Sequence, residues 1–345
     1  MKATYITEYG GPEVLTYGDL PEPTIGSGEV LIRVQATALN HLDLFRRGGQ
    51  RGTQTQLDEP FILGCDIAGE VAEIGSDVQS VQTGQRVIVN PGVIPASAHK
   101  EYTGRESMSP GYRMIGAQLN GGYAQYVKAP EENVHAITAD LTWEQMAAIP
   151  LTMLTAWHML VTLAKLQAGE TVLIQAVGSG VGSSALQIAK LVGAKTIVTA
   201  STDAKLEKGK ALGAGETINY TNEDFAKRVL ELTDGRGVEV VFDHIGASTF
   251  EKNLVSLARG GRYVNCGVTG GHKAELHIGM LFTKQAQLFG SFMGNNDDML
   301  RVVRMVNQGR LQGVVDRVFA LEDAAKAHEA MESRDIFGKL VLRVP

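Results

Sequence analysis

Residues Thr171–Ala200 read TVLIQAVGSGVGSSALQIAKLVGAKTIVTA. The run Thr171-Val172-Leu173-Ile174-Gln175 is β-branched and apolar, which suits a short strand buried on both faces. Gly178, Gly180 and Gly182 follow at once. Leu186, Ile188, Ala189, Leu191 and Val192 then recur at the spacing of one helix face, and Gly193 is placed to end that helix. Lys195 to Ala200 is a second apolar strand. The order is strand, glycine turn, helix, strand: a βαβ unit.

A glycine turn that opens a helix has a physical use. Backbone N–H groups and the positive end of the helix dipole converge there, and the missing Cβ atoms let a pyrophosphate approach the main chain. The glycines alternate (Gly-Ser-Gly-Val-Gly) and depart from the strict G-x-G-x-x-G spacing, so the flanking strand and helix carry the reading. Gly178, Ser179, Gly180, Val181 and Gly182 are the expected pyrophosphate contacts. Sites for NAD place an acid about 20 residues beyond the glycines, on the ribose hydroxyls. Here the second strand ends Thr199-Ala200-Ser201-Thr202, without an acid at its tip. Ser201 and Lys205 can donate to a 2′-phosphate, and Tyr220 can stack or donate beside them. Asp203 opposes that reading by its charge. The residues favour NADPH (NADP+).

At 345 residues the chain is long enough for two domains. A hydrophobic content of 44% and a charged content of 20% are ordinary for a globular protein. The net charge of −6 offers nothing to nucleic acid or to an anionic membrane. Cys65 and Cys266 form no disulfide framework, and the N-terminus lacks an apolar signal core. A cytoplasmic setting is expected.

Before the βαβ unit the chain reads as β-rich. Lys2 to Tyr9, Val14 to Leu20, Val30 to Leu39, Ala68 to Ile74, Gln85 to Asn90 and Tyr123 to Lys128 are strands, which suggests a barrel-like domain. Pro91 to Gly111 is a polar surface loop. Thr142 caps a helix with Gln145 as its capping-box partner, Pro150 breaks that helix, and Leu151 to Leu166 is the next. From Thr171 to Phe292 strands and helices alternate, as in a doubly wound parallel sheet. The last short apolar strand of this alternation is Leu288 to Phe292. Asp298 to Gln308, Val314 to Ala320, Leu321 to Ser333 and Lys339 to Val344 close the chain as helix, strand, helix and strand.

End to end, the sequence resembles the medium-chain dehydrogenase/reductase superfamily. The resemblance rests on Gly10-Gly11-Pro12-Glu13-Val14-Leu15, Ala38-Leu39-Asn40-His41-Leu42-Asp43 and Leu63-Gly64-Cys65-Asp66-Ile67-Ala68-Gly69. It continues through Ile149-Pro150-Leu151-Thr152, the βαβ unit and Phe337-Gly338-Lys339-Leu340-Val341-Leu342. It implies an α/β chain: a GroES-like β-rich catalytic domain from residues 1–151 and 296–345, around a Rossmann domain of residues 152–295, with the active site in the cleft between them.

Many relatives hold zinc. The positions that align with the structural zinc cysteines are Pro95, Ala98, Glu101 and Ser109, and none is a thiolate. The catalytic ligands align with Asn40, Cys65 and Leu151, and the proton-relay hydroxyl with Leu42. An unusual Cys65–Asp66 metal pair is the alternative to a buried thiol beside a hydrogen-bonded carboxylate. The ligand set implies no metal, and hence the zinc-free quinone oxidoreductase and enone reductase branch.

For that branch the resemblance implies the following roles. Asn40 donates to the acceptor's carbonyl oxygen. Asp43 and Asp66 orient that region or relay a proton, against the plainer reading of capping carboxylates. Thr155 touches the nicotinamide, and Leu151 lines an apolar pocket. His41 and Lys339 meet the pyrophosphate, and His244 and Ile245 border the adenosine ribose. Cys266, Gly267 and Val268 with Phe292, Met293 and Gly294 sit toward the nicotinamide half. Gly48 to Glu59 and the Pro91 to Gly111 loop shape the cleft mouth. The substrate is a small quinone, enal or enone, and the protein a homodimer or homotetramer. The competing readings are a zinc-type alcohol dehydrogenase and a non-catalytic NADPH-binding redox sensor.

Overall fold

A computed structural model describes residues 1–50, 57 and 59–345. Of the Gly48 to Glu59 stretch, residues 51–56 and 58 lie outside the described residues. The chain forms two compact units, Met1–Leu151 with Asn295–Pro345, and Thr152–Gly294.

In the first unit the strand Glu29–Ala38 is central. It pairs antiparallel with Asp66–Ile74, Tyr126–Pro130 and the closing strand Lys339–Arg343. Arg86–Val89, Val134–Ala136 and Val315–Ala320 complete a seven-stranded sheet, and Lys2–Ile6 lies in a separate three-stranded one. The core is aliphatic, with Ile32, Val34, Ile67, Val71, Val87, Leu340 and Leu342 buried. Alternation along Glu29–Ala38 sends successive side chains to opposite faces, and the apolar set meets the neighbouring strands. The short helix Trp143–Ala147 starts at the Thr142–Gln145 capping box.

The Pro91 to Gly111 segment, read as loop, holds the strand Gly92–Val93 and the short helical turns Ala96–Ala98, His99–Tyr102 and Glu106–Met108. Turns of three or four residues are too short to show a period in the sequence, which is why they escaped it.

In the second unit six parallel strands take the order Glu216–Asn219, Lys195–Ala200, Thr171–Ile174, Val238–Asp243, Leu257–Asn265, Gln287–Gly290. The direction of winding reverses between Thr171–Ile174 and Val238–Asp243, the point at which such sheets bind nucleotides. The helix Gly180–Val192 ends at Gly193, whose φ of 87° is open to glycine at little cost. Leu173, Ile197, Ile218, Val241, Val229 and Leu254 form this unit's core. The helix expected over Leu151 to Leu166 is α-helical over Pro150–Trp157 and widens to a π-helix over His158–Leu163. Pro150 starts that helix because the first helical position needs no N–H donor. The expected strand Leu288 to Phe292 ends at Gly290; Phe292 lies beyond it and is exposed, and Met293 is left-handed at φ 56°.

Candidate active site

The glycine turn is built by one serine. Ser179 is the N-cap of Gly180–Val192, and its Oγ accepts the Gly182 N–H at 2.9 Å. The first N–H groups of the helix, at Gly180 and Val181, have no intrahelical acceptor and are left for a ligand. A Cβ on Gly182 would stand 2.6 Å from the Ala176 carbonyl oxygen, so the turn can close only on glycine.

A polar network that the sequence reading missed supports this turn. Thr199 Oγ1 accepts the Ala176 N–H at 3.0 Å and donates to Gln175 Oε1 at 2.7 Å; Gln175 Nε2 donates to Asn253 Oδ1 at 2.7 Å. His244 completes it. Its Nε2 lies 3.0 Å from both the Gln175 carbonyl and Ser179 Oγ, and a carbonyl only accepts, so this nitrogen carries the proton. Burial pushes the imidazole pKa down and keeps the ring neutral. His244, expected at the adenosine ribose, thus has its Nε2 engaged at the glycine turn. No sequence signal pointed there, because the contact depends on which strands are neighbours.

At the tip of Lys195–Ala200 the last residue is Ala200, and Ser201 and Thr202 lead into the helix Asp203–Ala211. Thr202 caps that helix by accepting the Lys205 N–H at 3.3 Å. Asp203 is held by Asn219 Nδ2 at 2.7 Å, which gives its carboxylate a fixed partner. Tyr220 is exposed and Ser201 half-buried. Ile245 and Gly246 donate their N–H groups to the buried Asp243. The Gly267 N–H donates to Asn265 Oδ1, and Cys266, its thiol pushed up to about 12 by burial, lies between them in sequence with Val268 next. Gly294 packs against Leu154 and His158. Thr155, next to Leu154 on the same helix, is 5% exposed and its Oγ1 has no hydrogen-bond partner. An orphaned buried hydroxyl, a capped helix start and a glycine-closed turn in one unit fit a bound dinucleotide.

The first unit holds a second constellation. Asp66 opens its strand directly opposite Ala38, and Leu39 N–H bonds to the Leu340 carbonyl on the other side. That register delivers Asn40, Asp66 and Lys339 to one place. Lys339 Nζ donates to Asn40 Oδ1 at 2.6 Å and lies 2.8 Å from Asp66 Oδ2; Asn40 Nδ2 donates to Asp66 Oδ2 at 2.9 Å. The Leu151 N–H donates to Asp66 Oδ1 at 2.6 Å. Asp43 accepts the backbone N–H groups of Asn40 at 2.7 Å and Gly64 at 3.1 Å, which caps the helix His41–Arg47. Burial pushes the Asp43 carboxyl up to about 7 against those bonds and the Lys339 charge. His41 begins that helix, half-buried, 6.3 Å from Phe45 between ring centroids.

Lys339, expected at a pyrophosphate, is thus a buried partner of Asn40 and Asp66. A carboxylate that is 0% exposed needs a counter-charge, and this ammonium supplies it. Leu151 contributes its N–H and not an apolar wall alone. The residues present do not fit zinc. Asn40 Oδ1 and Asp66 Oδ2 already accept an ammonium, and the aligned third position is a leucine, which has no ligating atom. Among the described residues no three His, Cys, Asp or Glu side chains converge on one point.

Comparison with known proteins places these two halves. Residues 180–308 match the model described as zinc-binding dehydrogenase, and residues 26–139 that of the alcohol dehydrogenase GroES-like domain. The chain is 30% identical over 352 residues to an NAD-dependent alcohol dehydrogenase of Sulfolobus acidocaldarius, covering 100% of both chains. It is 32% identical over 350 residues to a quinone oxidoreductase of Pseudomonas aeruginosa, covering 99% of each. A crystal structure of an NAD-dependent alcohol dehydrogenase superposes with a TM-score of 0.95 at 41% identity, over 100% of both chains. With the dinucleotide turn on one unit and the GroES-like sheet on the other, the chain belongs to the medium-chain dehydrogenase/reductase superfamily and is an NAD(P)-dependent oxidoreductase.

Proposed function

We propose that the chain is an NADPH-dependent reductase that passes hydride to a quinone, or to the C=C of an α,β-unsaturated carbonyl, without zinc. The observation that carries this reading is the ammonium of Lys339 on Asn40 Oδ1 and Asp66 Oδ2, where a metal enzyme needs free donors. A conjugated acceptor is already electrophilic, so positioning and one hydrogen bond to its carbonyl do much of the work.

NADPH, when bound, supplies the hydride. Ser179, Gly180, Val181 and Gly182 would hold its pyrophosphate, Ser201 and Lys205 its 2′-phosphate, and Thr155 its nicotinamide. Asn40 Nδ2–H donates to the acceptor's carbonyl oxygen, where negative charge grows as hydride reaches the β-carbon. Asp43 keeps the Asn40 backbone in place, and water returns the proton to the product.

The edge strand Gln287–Gly290 carries exposed Leu288, exposed Phe292 follows it, and the helix before it, Ile278–Lys284, exposes Ile278 and Phe282. They support a homodimer formed edge to edge. Light scattering at a protomer mass overturns that part.

The functional test uses EDTA-treated protein with NADPH or NADH and with p-benzoquinone or a short enone, followed by loss of reduced-nucleotide absorbance. Turnover that prefers NADPH and ignores chelation is expected. Loss of turnover on chelation, restored by zinc, would return the alcohol dehydrogenase reading. Tight NADPH binding without turnover would return the sensor reading.

A further inference from the structure

An asparagine side chain can sit in either of two flips, with its carbonyl and amino ends exchanged. At Asn40 the surroundings decide between them. Lys339 Nζ can only donate and the Asp66 carboxylate can only accept, so Oδ1 must face the lysine and Nδ2 the aspartate. One Nδ2–H goes to Asp66. The other meets Ala38 O at 3.5 Å, the outer limit of a hydrogen bond. Asn40 retains 6% exposure, against 3% for Lys339 and 0% for Asp66, so Asn40 is the member that a ligand can reach. The remaining bonds make the clamp rigid. The Leu151 N–H holds Asp66, Asp43 holds the Asn40 backbone, and the Lys339 N–H is tied to the Val314 carbonyl at 2.8 Å.

We propose that Lys339 is a positioning residue: its ammonium, anchored by Asp66, locks Asn40 in the flip that offers an Nδ2–H to the acceptor's carbonyl. This rests on the reductase reading above. It replaces a cofactor-binding role for Lys339 with a role in the reduction step.

The test is the charge-balanced pair Lys339→Met with Asp66→Asn. The amide placed at position 66 can donate or accept, so neither flip of Asn40 is preferred, while no charge is stranded in the interior. The expected result is a fall in kcat with enone of about a hundredfold, the scale of a misplaced catalytic contact. The NADPH Kd, from cofactor fluorescence, stays within about twofold because the ground-state cofactor contacts are untouched. The acid limb of the kcat–pH profile also moves upward, because the pair removes both the Lys339 charge, which helps Asp43 to ionise, and the weaker opposing charge of Asp66. A folded variant with unchanged kcat overturns the positioning role. A variant that keeps kcat and loses NADPH affinity about tenfold or more assigns Lys339 to the cofactor instead and overturns it too. If the pair fails to fold, Lys339→Arg carries the same test, since a planar fork cannot reproduce the point contact of an ammonium. A wild-type protein inert to every quinone and enone overturns the reductase reading itself, a result distinct from any of these.

Discussion

Thr199 Oγ1 lies 3.0 Å from the Ala176 N–H and 2.7 Å from Gln175 Oε1, and so ties the end of one parallel strand to the glycine turn of its neighbour. The hydroxyl accepts from one and donates to the other, and Thr199 is fully buried. Thr199→Val keeps the shape and strands both partners. Each stranded group should cost about 1–3 kcal/mol in urea unfolding, and NADPH should bind more weakly because the turn is no longer held. Thr199→Ser keeps the hydroxyl and should lose only about 1 kcal/mol for the missing methyl. Equal effects of the two substitutions would show that the methyl, and not the bond, matters.

Ala176 itself sits at φ 46°, in the left-handed region. An L-residue there costs about 1–2 kcal/mol, whereas glycine costs about 0.5–1 kcal/mol in lost chain entropy. Ala176→Gly should therefore raise stability by a few tenths of a kcal/mol to about 1 kcal/mol. Ala176→Val, with a branched Cβ, should lower it and weaken nucleotide binding. Thermal unfolding of the three proteins orders them; a glycine variant less stable than wild type would mean the turn is unstrained.

Lys284 closes a helix by its side chain. Its Nζ donates to the carbonyls of Leu254 at 3.0 Å, Val255 at 2.7 Å and Leu257 at 2.6 Å, at the end of the helix Ala247–Ser256. Lys284→Met keeps the apolar stem and removes all three bonds. A loss of about 2 kcal/mol is expected, since bonds from a charged donor are worth more than neutral ones and water can replace part of them. Lys284→Met at wild-type stability would assign the carbonyls to solvent.

The nucleotide unit was largely legible because its signals are local. The strands Thr171–Ile174 and Lys195–Ala200 are short β-branched runs next to turn residues, and Gly193 stops a helix by its own backbone freedom. The bonds that matter most at the candidate sites were hidden. Lys339 meets Asn40 because two strands pair in one register, and His244 meets Ser179 because their strands are sheet neighbours. Lys284 looks like any surface lysine until its helix is packed. Pattern along the chain carries no information about register across it, so donors and acceptors can be named from the sequence while their partners cannot.

Asp43 gives a pH signature. Its folded value, about 7, lies above the ordinary aspartate value of about 3.9, so the folded protein holds this proton more tightly than the unfolded chain does. The stability this contributes is complete below about pH 4 and is lost as pH rises through about 7. Asp43→Asn removes the titration while one oxygen still accepts from Asn40 or Gly64. In urea unfolding from about pH 5 to about pH 8, wild type should lose stability relative to the variant. Parallel curves would mean that Asp43 stays ionised throughout.

Cofactor choice should turn on the tip of the strand Lys195–Ala200, where Ala200 is followed by Ser201, with Lys205 in the first turn of the next helix. Asp203, which opens that helix, is already held by Asn219 at 2.7 Å. Lys205→Gln removes a charged donor to a 2′-phosphate, and should raise the NADPH Kd about tenfold while leaving NADH unchanged. Ala200→Asp places a carboxylate that accepts from ribose hydroxyls and repels a 2′-phosphate, so the ratio of kcat/KM for NADPH over NADH should fall by at least about a hundredfold. The two substitutions probe one preference from opposite sides. If neither moves the ratio, the 2′-phosphate is not read at this strand, and the absence of an acid at Ala200 has no bearing on which nucleotide the protein uses.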